Sequence, residues 1–237
     1  MNTTAGMSRQ FKYYDLIMGA YVCVLLCANL IGPAKVSTIT VPLFGDITFM
    51  AGVLFFPISY LFGDVLTEVY GYARDRRVVW TGFAALVFAA LMSTVIVALP
   101  PSSSWQDKQA AVETIFGSTP RIIVGSIIAF WSGSLVNSYV LAKMKIWTEG
   151  RWLWTRTIGS TLCGELVDSA LFYFIAFYGV WSMEQLLAVT ATQYVLKTTW
   201  EVVMTPLTYR LVAALKRAEH EDYYDRSTNF TPFTLRL

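Results

Sequence analysis

The chain has a single histidine, His220, near its C-terminal end, three cysteines, and few charges, at 14% of 237 residues. With no second histidine, no His-rich metal set and no Ser/His or Cys/His pair can form in its apolar part. Cys23, Cys27 and Cys163 all fall in apolar runs, and Cys23 and Cys27, one helical turn apart, read as small packing residues rather than a redox pair. No Gly-x-x-x-x-Gly-Lys-Ser/Thr segment is present, which excludes ATP hydrolysis by that route. Nothing calls for a cofactor or a metal, and none is expected. The reading is a non-enzyme, although paired carboxylates in apolar runs would also suit an intramembrane acid protease.

What is abundant is apolar: 55% of residues are hydrophobic and the mean hydropathy is +0.50, far from the balance of a soluble domain. Crossing a ~30 Å hydrocarbon core takes about 20 apolar residues. Six runs qualify, at 15–33, 49–70, 78–99, 121–142, 157–180 and 186–210. The expectation is therefore an all-α membrane protein with six transmembrane helices, a single domain over 1–237. Its parts are an N-terminal segment (1–14), a six-helix bundle (15–214) and a tail (215–237).

Basic residues orient it. Arg9, Lys12, Arg74, Arg76, Arg77, Lys143, Lys145, Arg151, Arg156, Arg210, Lys216, Arg217, Arg226 and Arg236 fall on one side of such a bundle. Lys35, Lys108 and Arg121 fall on the other, so both termini are expected in the cytoplasm, with the protein in the inner (plasma) membrane. The net charge of +2 then reflects topology and lipid contact, not nucleic-acid affinity. Between the first two runs, 36–49 is rich in Thr, Val and Ile and contains Pro42 and a Gly45-Asp46 turn signal, predicting a short extended hairpin. Residues 105–116 predict an amphipathic interfacial helix.

Charges inside the runs are the candidate site. A central Asp or Lys costs roughly +2.5 to +3.5 kcal/mol in a spanning helix, so such residues face protein, water or an opposite charge. In the second run Asp64 and Glu68 are one turn apart, with Glu68 able to pair with Arg74 or Arg77. In the fifth, Glu165 and Asp168 lie about 13 and 18 Å from Arg156 along a helix. In the sixth, Gln193, Lys197, Glu201 and Thr205 form a stripe, with Lys197 at similar depth, and Pro206 frees a carbonyl beside Glu201. The fourth run contributes a small-residue ridge, Gly125, Ala129 and Gly133, ending in Asn137. Trp131 and Trp200, with Phe130 and Tyr173, offer flat faces.

These blocks carry a resemblance. Phe-Pro-Ile-Ser-Tyr-Leu-Phe-Gly-Asp-Val-Leu-Thr-Glu-Val-Tyr-Gly (56–71), Gly-Glu-Leu-Val-Asp-Ser (164–169), Lys-Thr-Thr-Trp-Glu (197–201) and the Thr-x-Phe-x-Pro-Phe tail are similar to the queuosine precursor transporter family, of the vitamin uptake transporter type. The resemblance implies a six-helix architecture like that of energy-coupling-factor substrate-binding subunits. It also implies deazaguanine substrates, the cyano (preQ0) and aminomethyl (preQ1) precursors used in tRNA modification.

A guanine-like base presents adjacent N–H donors that a carboxylate accepts in bidentate fashion. Glu165, Asp168 and Glu201 are thus expected to take the base or the cationic aminomethyl group, Asn137 and Gln193 the carbonyl edge, and Lys197 to hold surplus carboxylates ionised. Asp64, Glu68, Trp131 and Trp200 complete the candidate set. Three other readings suit the same residues: a binding subunit with an ATP-driven partner, a vitamin or nucleobase transporter of other specificity, and a homo-oligomeric channel.

Overall fold

The computed structural model describes residues 11–32, 35–41, 45–117 and 120–235. Arg9, Pro42 and Arg236 lie outside them. Helix α1 (Tyr14–Leu26) continues through a wide turn, Cys27–Ile31. Strands β1 (Val36–Val41) and β2 (Gly45–Met50) pair antiparallel, Val36 opposite Met50 and Val41 opposite Gly45. The expected hairpin is there, built from β-branched residues that suit extended backbone. Gly45 and Asp46, read as its turn, instead open the second strand. Next come α2 (Phe56–Tyr70), α3 (Tyr72–Ala98), the surface helix α4 (Gln106–Phe116), α5 (Pro120–Trp147), α6 (Leu153–Phe177) and α7 (Met183–Glu219).

Each of the six apolar runs falls on a helix, but among the described residues only four stretches are long and apolar enough to cross a membrane: Tyr14–Ile31, Tyr72–Ala98, one within Gln106–Trp147, and Leu153–Phe177. Helices α2 and α7 depart from the expectation for different reasons. Helix α2 has 15 residues, about 22 Å of rise against ~30 Å of hydrocarbon, because residues 49–54 belong to the hairpin and a short 3-10 turn. Helix α7 is 37 residues long but too polar. Helix α2 has little need of lipid-facing apolarity, since Leu61, Val65, Leu66, Val69 and Tyr70 form the centre of the buried core with Tyr21, Val78, Leu153 and Val212 around them. The lipid-type surface lies elsewhere: Phe88, Leu91, Val95 and Ile96 on α3, and Leu187, Val195, Val203 and Leu207 on α7, are exposed. A surface of that kind marks a multi-pass membrane protein.

The described N- and C-terminal segments meet at one end of the bundle. Glu219, the last residue of α7, accepts the backbone N–H groups of Lys12 and Tyr13 at 2.9 and 2.7 Å and the Tyr70 hydroxyl at 2.9 Å. His220 takes a left-handed conformation, φ 51°, and the chain folds back as an extended strap. Tyr223 N–H donates to the Val69 carbonyl at 3.3 Å, and Asp225 accepts the Tyr72 N–H at 3.0 and 3.1 Å. Arg76 grips the carbonyls of Asn229 and Thr231 at 2.7 Å each, and Trp80 Nε1 donates to the Pro232 carbonyl at 2.8 Å. Asp225 thereby caps α3, whose first N–H groups have no partner of their own. Of the residues read as a tail, 215–219 continue α7 and those from Tyr223 to Pro232 dock against α2 and α3.

Helices α2 and α3 are joined by Gly71 alone, at φ 85°. A side chain there would be strained at that φ and would strike the Tyr223 ring, so the corner and the strap above it both depend on glycine.

Candidate functional site

Helices α5 and α6 approach closely enough to shape everything around them. A Cβ on Gly133 would lie 2.7 Å from the Asp168 Cβ and 3.0 Å from the Gly164 carbonyl, and one on Gly164 would lie 2.8 Å from the Asn137 Cβ. The small-residue ridge of α5 is thus a packing seam, and its contact fixes Asp168 and Asn137 at the wall of a central cavity.

That cavity encloses about 350 Å³ and draws its wall from all six long helices. Tyr21 and Asn29 come from α1, Ser59 and Tyr60 from α2, Asp75 from α3, and Phe130, Ser134 and Asn137 from α5. Helix α6 adds Glu165, Asp168, Phe172 and Tyr173, and α7 adds Gln193 and Lys197. The volume sits within the ~300–1,000 Å³ usual for small-molecule sites.

Lys197 Nζ lies 2.5 Å from Asp168 Oδ2 and 2.9 Å from Glu165 Oε2. The Asp168 contact is a hydrogen bond; the Glu165 contact is an ion pair without hydrogen-bond alignment, since Glu165 Oε2 has no donor partner. Glu165 is buried, whereas the Asp168 and Lys197 side chains keep 20% and 11% exposure and so can meet a ligand. Asp75, which the sequence argument missed, accepts the Ser138 hydroxyl.

Asp64 and Glu201 stand one layer behind the wall. Asp64 is fully buried and Glu201 is 3% exposed, and the two meet carboxyl to carboxyl across α2 and α7. Asn137 Nδ2 donates to Asp64 Oδ1 at 3.0 Å and links this pair to the cavity.

Glu68 is elsewhere. Arg156 holds it through Nη2 at 2.7 Å and Nε at 2.8 Å, Lys216 reaches it at 2.6 Å and Lys145 at 3.6 Å. Its partners are therefore not Arg74 or Arg77, because α2 turns its last residues inward towards the ends of α5, α6 and α7. Asp222 of the strap closes the cluster at 2.6 Å from Lys145 and 2.7 Å from Lys216. Burial pushes the Asp222 carboxyl up, but hydrogen bonds from those two lysines outweigh it and hold the group below 3.8.

Trp131 and Trp200 also lie off the cavity wall. Trp131 packs edge-on against Trp80 and lies 5.8 Å from the Phe233 ring, and Trp200 is 40% exposed. The rings that do face the cavity are Tyr21, Tyr60, Phe130, Phe172 and Tyr173. Of the expected residues, then, Asn137, Glu165, Asp168, Gln193 and Lys197 share the cavity, Asp64 and Glu201 back it, Glu68 and Trp131 serve other contacts, and Trp200 lies partly exposed off the wall.

A multi-pass helical membrane protein enclosing a charged, aromatic-lined chamber has the build of a solute transporter. The chain belongs to the vitamin uptake transporter family, whose profile matches residues 50–211. It is 33% identical over 196 residues (81% of this chain, 82% of the relative) to the Bacillus subtilis protein named "Probable queuosine precursor transporter". It is 31% identical over 128 residues (54% of each) to the Escherichia coli protein named "Queuosine precursor transporter". A Haemophilus influenzae protein named like the first is 27% identical over 133 residues, 54% of this chain and 51% of that one. No solved structure matches. Transport is what the family's description and the names of these relatives have in common.

Proposed function

We propose that the chain imports the deazaguanine precursors preQ0 and preQ1 across the inner membrane. It does so through six crossing helices, α1, α2, α3, α5, α6 and α7, with both termini in the cytoplasm. The observation that carries the substrate reading is the Asp168–Lys197–Glu165 triad on the wall of a 350 Å³ chamber lined with aromatic rings. Lys197 occupies Asp168 Oδ2, which leaves Oδ1 and the partly open edge of Asp168 for the donor edge of a guanine-like base. Asn137 Oδ1 has no donor partner and takes a further N–H, Gln193 faces the carbonyl, and one of Tyr60, Phe130, Phe172 or Tyr173 stacks. Stacking of a base on an aromatic ring is worth about 1–3 kcal/mol in single-strand binding. Orientation rests on the basic residues gathered at the strap end, among them Arg76, Lys145, Arg156 and Lys216.

A thermal-shift panel on the purified protein tests this. Stabilisation by preQ0 and preQ1 but not by biotin, lost in Asp168→Asn, is the expected result. Equal stabilisation by biotin, or none by either precursor, would overturn the substrate assignment.

A further inference from the structure

Four groups of buried carboxylates face the interior; two of them have cations, and Asp75 on α3, without one among the described residues, accepts the Ser138 hydroxyl. Glu68 on α2 is met by Arg156 of α6, Lys145 of α5 and Lys216 of α7. Glu165 and Asp168 on α6 share Lys197 of α7. The remaining group, Asp64 with Glu201, has no lysine or arginine within ion-pair distance among the described residues. Asp64 Oδ2 and Glu201 Oε1 also receive no hydrogen bond from any N–H or from a hydroxyl. Two ionised carboxylates cannot persist in contact, out of water and without a cation. A proton shared between the two carboxyls removes that repulsion.

Two further features tie the pair to transport. Asn137, 6% exposed, donates to Asp64 Oδ1 from the cavity wall, while its own Oδ1 receives no hydrogen bond. A ligand N–H on that oxygen fixes the amide in the orientation that supports Asp64. On α7, Pro206 lies inside the helix and offers no N–H to the Val202 carbonyl, and the Thr205 hydroxyl turns back to the Glu201 carbonyl at 2.8 Å. The helix is thus weakened just past the carboxyl that would move.

We propose, resting on the transport reading above, that the Asp64–Glu201 pair is a proton-binding site that couples inward proton movement to precursor uptake, with Asn137 as the positioning residue between pair and cavity. One proton enters the pair from the outer side while the cavity is loaded. It leaves to the cytoplasm as the precursor is released, so each cycle returns the pair to its starting charge.

The test uses the full chain alone in proteoliposomes with radiolabelled preQ0 and preQ1. In wild type, an acid-outside gradient should drive accumulation above equilibrium, and a protonophore should abolish it. In Asp64→Asn and Glu201→Gln, counterflow exchange of labelled against unlabelled precursor should persist while gradient-driven accumulation is lost. Wild-type accumulation indifferent to the gradient overturns the proposal without need of a variant, as does full accumulation in both variants. Absence of counterflow in wild type overturns the transport reading itself.

Discussion

Replacing Arg156 with glutamine tests the charged node at the strap end most sharply. Arg156 is 2% exposed, Glu68 is fully buried, and the guanidinium contacts both carboxylate oxygens, at 2.7 and 2.8 Å. Removing one member of a buried pair typically costs 3–5 kcal/mol, because the other charge stays buried without compensation. Lys216 at 2.6 Å and Lys145 at 3.6 Å remain, which places Arg156→Gln at the lower end, about 3 kcal/mol. For a chain of this length that is a fall in Tm of about 6–12 °C, readable by thermal melting in detergent. Glu68→Gln alone should be worse, since it leaves Arg156, Lys145 and Lys216 facing only Asp222. The double variant then relieves one of those cations and should be more stable than the sum of the singles by about 2 kcal/mol. A melt of Arg156→Gln within about 2 °C of wild type, or strict additivity in the cycle, would refute the account of Glu68 as a shared anion.

Gly133→Val should pry α5 from α6, because its Cβ alone would lie 2.7 Å from the Asp168 Cβ. Overpacking of this kind costs about 1–3 kcal/mol, seen as a lower Tm together with lost precursor binding, and a variant that binds normally would argue against the seam. Asp222 makes a pH-dependent contribution: hydrogen bonds from Lys145 and Lys216 hold its folded carboxyl below the usual carboxylate range, so its stabilisation is present above that range and is lost in acid, as pH falls through the lowered folded value. The Tm gap between wild type and Asp222→Asn should be open at neutral pH and close in acid, and a gap that does not change with pH would contradict the lysine contacts.

Periodicity in the sequence was enough to bring Glu165, Asp168, Gln193 and Lys197 together, since steps of three and four residues on two adjacent helices place them on facing stripes. Other residues were not legible for physical reasons. Glu68 takes its partners from three helices far along the chain, which no local pattern encodes. Asp75, among Arg74, Arg76 and Arg77, reads as a headgroup-facing residue, yet the strap draws the arginine beside it away and leaves Asp75 turned to the cavity. Trp131 has the composition of a stacking platform but is taken by Trp80 and Phe233. The shortness of α2 was hidden because the apolar residues of β2 extend its run, and hydropathy does not separate a strand from a helix that follows it.

The group that caps α3 is encoded 153 positions after the N–H it serves. During synthesis, every hydrophobic helix must therefore be made and placed while that corner is still open. The Gly71 bend can be closed only once Asp225, Phe230 and Pro232 have themselves been synthesised. Closure of this end of the molecule therefore comes after the synthesis of α7, the last of the long helices.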